Sequence, residues 1–293
     1  MERLKHYIAI KHLSSPLVAL LLCGVFSTNS IANAQQLSVD KDGVLARYDW
    51  SGPSVGAYIG GAWGTAKKST NVGSVTNTAY YNSLATINSV NQSGSGTISS
   101  NAFIGGIQFS DNFFICEQYI LGLVMDYGAL NLNAVNDANN VAYPDHSGNY
   151  SLETSVTTSW AYTARARLGY AISSLSKPVL LYMTGGLALT NLSIKNNLTD
   201  TNTLLGVGGS KNKGNQTGWA LGAGFELPIT DNLTVNSEYL YMQFGTIDVN
   251  SSIYNSTQGF GIDSHALVNP FNTSASLYVN LFKVGLNYKF KTV

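Results

Sequence analysis

The chain has 293 residues, of which 11% are charged and 44% are hydrophobic, and its formal net charge is zero. Soluble domains usually carry roughly 25% charged residues, so this composition is unusual for a protein that lives in water. The neutral balance argues against a nucleic-acid partner, because nucleic acids are bound through clustered Lys and Arg. The two cysteines form no metal-ligand motif, and we predict neither a metal nor a cofactor.

The N-terminus has the pattern of a secretory signal peptide. A basic start precedes an apolar run over 16–26, and Ala32-Asn33-Ala34 is an A-x-A cleavage site. The apolar run is too short for a spanning helix, which needs about 20 apolar residues. We therefore predict cleavage between Ala34 and Gln35. The predicted division is a signal peptide at 1–34, a periplasmic extension at 35–49 and a β-barrel domain at 50–293.

Eight stretches of the exported chain have the alternating pattern of β-strands. They lie at 54–67, 98–109, 119–129, 158–172, 179–191, 217–227, 233–244 and 276–290. Short connections alternate with long ones rich in Asn, Ser, Thr and Gly, which cover 68–97, 130–157, 192–216 and 245–275. Short turns at one rim and long loops at the other are typical of bacterial outer-membrane barrels, and a soluble sandwich has no such asymmetry. We predict an all-β fold, an eight-stranded antiparallel transmembrane β-barrel with four long extracellular loops.

The fourth strand shows most clearly which face is inside. Trp160, Tyr162 and Leu168 share one parity, whereas Arg165 and Arg167 share the other. An arginine facing acyl chains near the bilayer midplane would cost about 2 to 4 kcal/mol. Both arginines are therefore predicted to point into the lumen.

Other strands place further charges on the same inner face. In the seventh strand, Glu238 shares its parity with Leu240 and Met242, so we predict a bulge or an early exit from the membrane there. An eight-stranded barrel is so narrow that side chains fill it. The predicted lumen charge network consists of Asp126, Arg165, Arg167, Glu226, Glu238 and Lys283. Either it plugs the lumen and fixes the strand register, or it lines a gated path for small solutes.

Several segments, from about residue 48 to the end, form a characteristic set. They are Val55–Gly64, Ala164–Ala171, Tyr182–Ala188, Gly218–Glu226, Glu238–Tyr241 and Val284–Phe290. In this order they resemble the small Gram-negative outer-membrane β-barrel proteins of the opacity and rhizobial surface-porin type, which have a barrel like that of outer-membrane protein A. The resemblance implies an eight-stranded barrel in the outer membrane. Members are described as porins, structural surface proteins, adhesins or haem binders. The resemblance therefore indicates the location of the protein more clearly than its activity.

The last strand carries the C-terminal assembly signal that this resemblance implies, to be read by the barrel-assembly machinery. Its outward residues are Phe282, Val284, Leu286, Tyr288 and Phe290. Most such chains end on the aromatic residue, whereas here Lys291-Thr292-Val293 follow Phe290. The chain departs from the family pattern at this point.

The predicted function is envelope anchoring and stability, with surface loops that contact a host or cell-surface ligand. The predicted surroundings are outer-membrane lipid and lipopolysaccharide. The alternatives are a small-solute porin and, less favoured, a lipid-modifying enzyme that uses His146 or His265 of the loops. A catalytic triad is defined by geometry, and Ser, His and Asp are often adjacent by chance in polar loops. We therefore expect no enzymatic activity.

Overall fold

The computed structural model describes residues 48–73, 78–116, 118–172, 178–202, 204–258 and 261–290. Eight antiparallel strands form a closed barrel in which each strand pairs with its neighbours in the chain and β1 pairs with β8. The strands are β1 (Gly52–Val72), β2 (Gly96–Cys116), β3 (Tyr119–Ala142), β4 (Asn149–Ile172), β5 (Val179–Asp200), β6 (Gly206–Pro228), β7 (Leu233–Asn255) and β8 (Val268–Lys289). One helix, α1 (Leu84–Gly94), lies between β1 and β2. The predicted all-β fold and strand number are confirmed.

The strands are much longer than the sequence predicts. They contain 21 residues in β1 and 24 residues in β3 and β4, whereas about 9 to 11 residues cross a bilayer. Most residues of the predicted long loops therefore belong to strands that continue beyond the membrane. The predicted loop boundaries are wrong: the connection between β3 and β4 is only 143–148, whereas the connection at 73–95, between β1 and β2, stays long and contains α1.

The reason for this error is that the alternation inverts along a strand, as β3 shows. In the lower part of β3, Leu123 and Tyr127 face outward and are exposed. Above Ala129, most outward positions are polar, as at Asn133, with Val135 as an exception, while Leu130 and Leu132 face inward and are buried. A strand with polar residues outside and apolar residues inside suits a part of the barrel that is surrounded by water. The inversion therefore indicates where β3 leaves the lipid.

Aromatic residues mark both limits of the outward apolar band. Trp63 and Trp219 are exposed near the inversion, and Tyr288 and Phe290 are exposed near the opposite end. Trp and Tyr favour membrane interfaces, where the ring is buried and the polar atom stays hydrated. Among the described residues, no helix is both long and apolar enough to cross a bilayer.

The end of the barrel with short turns differs from the prediction at one place. The second strand was predicted to end at residue 109, but β2 continues to Cys116, and β3 begins at Tyr119. Phe113 faces outward and Phe114 packs against the buried cluster around Trp50. The apolar stretch after residue 109, which was predicted to be a connection, is therefore the lower end of a strand.

The predicted signal peptide, its cleavage site at Ala34 and Gln35, most of the predicted extension at 35–49, and Lys291-Thr292-Val293 lie outside the described residues.

Candidate functional site: the filled lumen

Six ionisable side chains meet inside the barrel at membrane level, and we call them the charged layer. They are Asp126 on β3, Arg165 and Arg167 on β4, Glu226 on β6, Glu238 on β7 and Lys283 on β8. None of them is more than 5% exposed. Each residue lies at an inward position of its strand, and the barrel is so narrow that side chains from these five strands meet. These are the six positions that the sequence analysis assigned to the lumen.

Four members of the charged layer form a neutral ring of alternating charges. The Arg165 guanidinium contacts the carboxylates of both Asp126 and Glu238. The Lys283 ammonium lies 2.7 Å from Asp126 Oδ1 and 3.1 Å from Glu238 Oε2. Thr163 donates to Asp126 Oδ2 at 2.9 Å, which completes that carboxylate's partners. Buried charges are tolerated when they are paired and hydrogen-bonded in this way.

Arg167 and Glu226 form a second, separate ion pair. Arg167 Nη1 lies 3.0 Å from Glu226 Oε2, and the guanidinium carbon lies 4.2 Å from the centre of the Tyr182 ring. Thr234 donates to Glu226 Oε1 at 2.5 Å. Arg167 Nε is buried and has no hydrogen-bond partner among the described residues. This pair is therefore less completely satisfied than the four-membered ring.

Three side-chain amides connect the ring to the pair. Gln108 donates to Asn236 Oδ1 at 3.2 Å and also contacts Asn287. Lys283 donates to Gln108 Oε1 at 3.3 Å, and Asn287 Nδ2 lies 3.4 Å from Glu226 Oε1. The lower lumen is thus one continuous polar network.

Two inward glycines make room for this network. An added Cβ at Gly186 would lie 2.2 Å from the Ala164 carbonyl oxygen and 2.7 Å from Arg165 Cα. One at Gly60 would lie 2.9 Å from Lys283 Cα. Distances under about 3 Å cannot be accommodated next to backbone, so a larger residue here would displace the strand that carries a charge.

The predicted bulge at Glu238 is wrong. Glu238, Leu240 and Met242 all face inward and are buried without a break in parity. The register shift between β7 and β8 occurs higher, between Gln243 and Thr246. The lumen wall changes from charged to aliphatic directly above Glu238, so apolar residues on the inner face do not require a bulge.

Above the charged layer, the lumen is filled by hydrocarbon side chains, which we call the aliphatic layer. Its larger members are Leu130, Leu132, Val156, Leu192, Ile194, Leu240, Phe244, Ile247, Leu277 and Leu281, all buried in one cluster. The sequence analysis missed this layer because it expected polar residues inside throughout. The inverted alternation of β3 above Ala129 was the signal that could have revealed it.

A lid closes the upper end of the barrel. It consists of α1 with Tyr81, Tyr143 and Tyr150, and the helix buries Ile87 and Val90 against them. Ser83 caps the helix by accepting a hydrogen bond from the Ala85 amide at 3.2 Å.

The lid is fastened at both ends of α1. At its C-terminal end, the buried Lys68 ammonium donates to the Gly94 carbonyl at 2.8 Å, and burial lowers the pKa of Lys68 to about 8. A cation at a helix C-terminus is favourable because it faces the unpaired carbonyls. At the N-terminal end, Thr86 donates to Asp145 at 2.7 Å, and hydrogen bonds from Ser83 and Thr86 hold the pKa of Asp145 at about 2.

Asp200 connects the lid to β5. Its Oδ2 accepts hydrogen bonds from the hydroxyls of Tyr80 and Tyr143, each at 2.8 Å, and its Oδ1 accepts from the Gly206 amide at 2.7 Å. Burial, followed by the nearby Tyr81 and Asp200, raises the pKa of Tyr143. The hydroxyls of Tyr80 and Tyr143 thus act as donors, and the Asp200 carboxylate accepts both hydrogen bonds.

The lower end is closed by the chain that precedes β1. Trp50 is buried there with Ile120, Leu180 and Tyr182, and its carbonyl accepts from Asn112 at 3.2 Å. Burial raises the pKa of Tyr48, beside Trp50, to about 12. The lumen is therefore filled from one end to the other.

The loop histidines do not form a catalytic arrangement in the part of the chain that the structure describes. His146 Nδ1 lies 2.7 Å from Asp145, and its ring stacks on Tyr143 with centroids 4.2 Å apart. His265 stacks on Tyr254 at 4.4 Å. Neither imidazole is hydrogen-bonded to a serine hydroxyl of the described residues. No group of three or more His, Cys, Asp or Glu that could hold a metal is found among those residues either.

The five outward residues at the C-terminus lie on the lipid-facing side of β8 and just beyond it. Phe282, Val284, Leu286, Tyr288 and Phe290 are each between 42% and 50% exposed. Lys283, Gly285 and Asn287 alternate with them and face the lumen.

A closed ring of eight strands with an apolar outer band defines an integral outer-membrane β-barrel protein. The chain belongs to the family described as outer membrane protein beta-barrel domain, whose model matches residues 19–290. It is located in the outer membrane.

Curated relatives agree with this family. The chain is 28% identical over 277 residues to the 31 kDa outer-membrane immunogenic protein of Brucella melitensis, covering 92% of this chain and 97% of the relative. It is 26% identical over 247 residues to the 25 kDa outer-membrane immunogenic protein of the same organism, covering 84% and 82%. Among solved structures, it is similar to OprG of Pseudomonas aeruginosa, with a TM-score of 0.33 and 13% identity over 83% of this chain and 97% of the other.

Proposed function

We propose that this protein is a closed membrane anchor that stabilises the outer membrane and presents its upper barrel wall outside the cell. The observation that carries the proposal is the filled lumen. The lower plug at Trp50, the charged layer, the aliphatic layer and the lid follow one another along the barrel axis. A cavity beside Tyr58, Asp126 and Lys283 has a volume of about 10 Å³, which is room for about one water molecule.

The aliphatic layer argues most strongly against a path for hydrated solutes. An ion that crosses it would lose its water without gaining polar partners, which costs many kcal/mol. The small-solute porin of the sequence analysis would require this layer to separate. Opening the lid alone would not create a continuous aqueous path.

Planar-bilayer recording of the refolded protein tests the proposal. We expect no reproducible unitary current steps from the wild type. We expect none from Tyr81→Ala/Tyr143→Ala, which weakens the lid but keeps the aliphatic layer. A large porin refolded in parallel controls for insertion. Reproducible steps from folded wild-type protein would contradict the closed anchor and favour the porin.

A catalytic role for His146 and His265 is not part of the proposal. His146 is engaged with Asp145 and Tyr143 at the base of the lid, and His265 stacks on Tyr254. A ring held in this way supports local structure. Loss of a lipid A modification on replacing either histidine would contradict this assignment.

The outward residues of β8 and Phe290 are proposed to be the signal that the barrel-assembly machinery reads. Their common lipid-facing side supports this role, because it is available before the strand is covered by lipid. Phe290→Ala should lower the amount of folded protein in the outer membrane. The matched variant Phe103→Ala, on the lipid face of β2, should leave that amount nearly unchanged.

A further inference from the structure

The barrel wall is incomplete between β6 and β7 above the membrane. The ladder pairs Gly218 with Phe244 and Gly208 with Ile253, but no pairing joins the two strands between these points. Over the same stretch, β6 stays paired with β5 from Thr217 to Gly209. None of the residues 209–217 is buried, including those with inward parity. Asn212 Nδ2 donates to the Asp248 carbonyl of β7 at 2.6 Å, so one side chain bridges the gap, but the backbone N–H and C=O groups on this edge of β6 have no ladder partners on that side.

Three lysines lie on the outer face beside this open edge, and we call them the lysine patch. Lys195 on β5 is directly opposite Lys211 on β6, and Lys213 lies two residues further along β6 opposite Ser193. All three are exposed. Directly opposite residues on one face of a sheet have Cβ atoms about 5 Å apart, and like charges there are destabilising.

The protein does not neutralise this charge within the described residues. None of the three ammonium groups has a described carboxylate within 4.0 Å, whereas Lys283 has two and Lys289 has one. Asn215 and Gln216 follow the patch along β6, and the exposed Asp248 lies on β7 across the gap without an ion pair to the three described lysines. Three ammonium groups, amides and open backbone groups together suit a ligand that carries both anionic groups and hydroxyls.

The position of the patch indicates where such a ligand comes from. Directly below it, Leu187 and Trp219 face outward as the upper rim of the lipid-facing band. Lys213 is six residues above Trp219 on β6, which corresponds to roughly 15 Å above that rim for a tilted strand. A molecule with acyl chains in the outer leaflet and acidic sugars above it would cover both surfaces at once.

We propose that the lysine patch and the open edge of β6 form a binding site for the phosphorylated or carboxylated core saccharide of lipopolysaccharide. The acyl chains of the same molecule would lie against the lipid-facing band below. This site adds one specific contact to the proposed anchoring role. It is separate from the lumen, so conductance results do not bear on it.

Binding of labelled lipopolysaccharide to the refolded protein in detergent tests the site. The variant Lys195→Gln/Lys211→Gln/Lys213→Gln should bind core-containing lipopolysaccharide at least about tenfold more weakly than wild type at low salt, and raising the salt should reduce the difference. The matched control is Lys67→Gln, an outward lysine above Trp63 that lies opposite only Thr97 and Ser276. It should change the affinity less than twofold.

Two further ligands distinguish the source of the anion. Lipid A without core sugars should bind wild type and the triple variant equally, and a soluble sulfated glycan should bind wild type more weakly than lipopolysaccharide does. Heat-modifiable gel mobility checks folding, and Lys211→Gln alone replaces the triple variant if that one does not fold. Equal affinity of the folded variant and wild type for lipopolysaccharide would overturn the site. So would an equal loss with lipid A, or preference of wild type for the soluble glycan.

Discussion

The lower and upper halves of this barrel have opposite arrangements of the same residue types. In the lower half, Leu123 and Phe282 face outward while Arg165 and Lys283 fill the interior. In the upper half, the interior is filled by side chains such as Ile194, and the outer face is mostly polar. The surrounding solvent decides the outer face, because lipid excludes charge and water favours it. Side chains fill the interior in both halves, with paired charges in the lower half and hydrocarbon in the upper half.

The two fillings differ in how they respond to substitution. A buried charge depends on particular partners, so removing one member leaves the others unpaired. A hydrocarbon side chain depends on volume, so its loss leaves a cavity that can partly relax. The following predictions test this difference in order of decreasing effect.

The largest effect is expected for Arg165→Leu, which leaves the two carboxylates of Asp126 and Glu238 to share one cation, Lys283. Loss of one member of a buried ionic cluster costs about 3 kcal/mol or more of unfolding free energy. Urea unfolding in lipid vesicles measures it. The control is Arg167→Leu, which unpairs only Glu226 and should cost about half as much. Equal costs for the two variants would show that the four-membered ring is not the more strongly coupled unit.

Leu192→Ala tests the aliphatic layer. Leu192 is fully buried, and truncation of a buried leucine costs about 2 to 4 kcal/mol. The matched control is Asn133→Ala on the outer face of the upper barrel, where surface substitutions change stability by about 0.5 kcal/mol or less. If both variants have the same urea midpoint, the upper interior is not a packed core.

Asp200→Asn tests how the lid is attached. The amide would place an NH₂ group where the carboxylate now accepts hydrogen bonds from Tyr80 and Tyr143, and each lost buried hydrogen bond costs about 1 to 2 kcal/mol. We expect faster hydrogen exchange in α1 with little change in global unfolding. Thr199→Ala, on the outer face of β5 at the same level, is the control. Unchanged exchange in α1 would mean that Asp200 does not hold the lid.

The smallest effect is a pH dependence of the lid. The pKa of Asp145 is lowered from 3.8 to about 2 in the folded protein, so its stabilising contribution is complete above pH 3.8 and is lost as the pH falls toward 2. Hydrogen exchange at the N-terminal end of α1 should accelerate over that interval. Asp145→Asn should remove this dependence, and persistence of the same acceleration in the variant would assign it to another group.

How much could be predicted differs between the two halves. The lower parts of the strands alternate between residues suited to lipid and residues suited to the lumen. The number of strands, their order and the side on which each residue lies could therefore be predicted, and so could the inward position of the six charged residues. The upper strands could not, because Asn, Ser, Thr and Gly on an outer face in water look like a loop. The helix of the lid and Asp200 were missed for the same reason, since neither carries a membrane pattern.

The sequence by itself determined the membrane-facing surface and the side on which each charge lies, because local alternation is enough to separate lipid from lumen. Only the tertiary structure decided which charges meet. Arg165 takes two carboxylates and Arg167 one because barrel closure brings β3, β4, β6, β7 and β8 together at that level. The open edge of β6 was likewise decided by tertiary structure, since pairing depends on where β6 and β7 lie relative to each other.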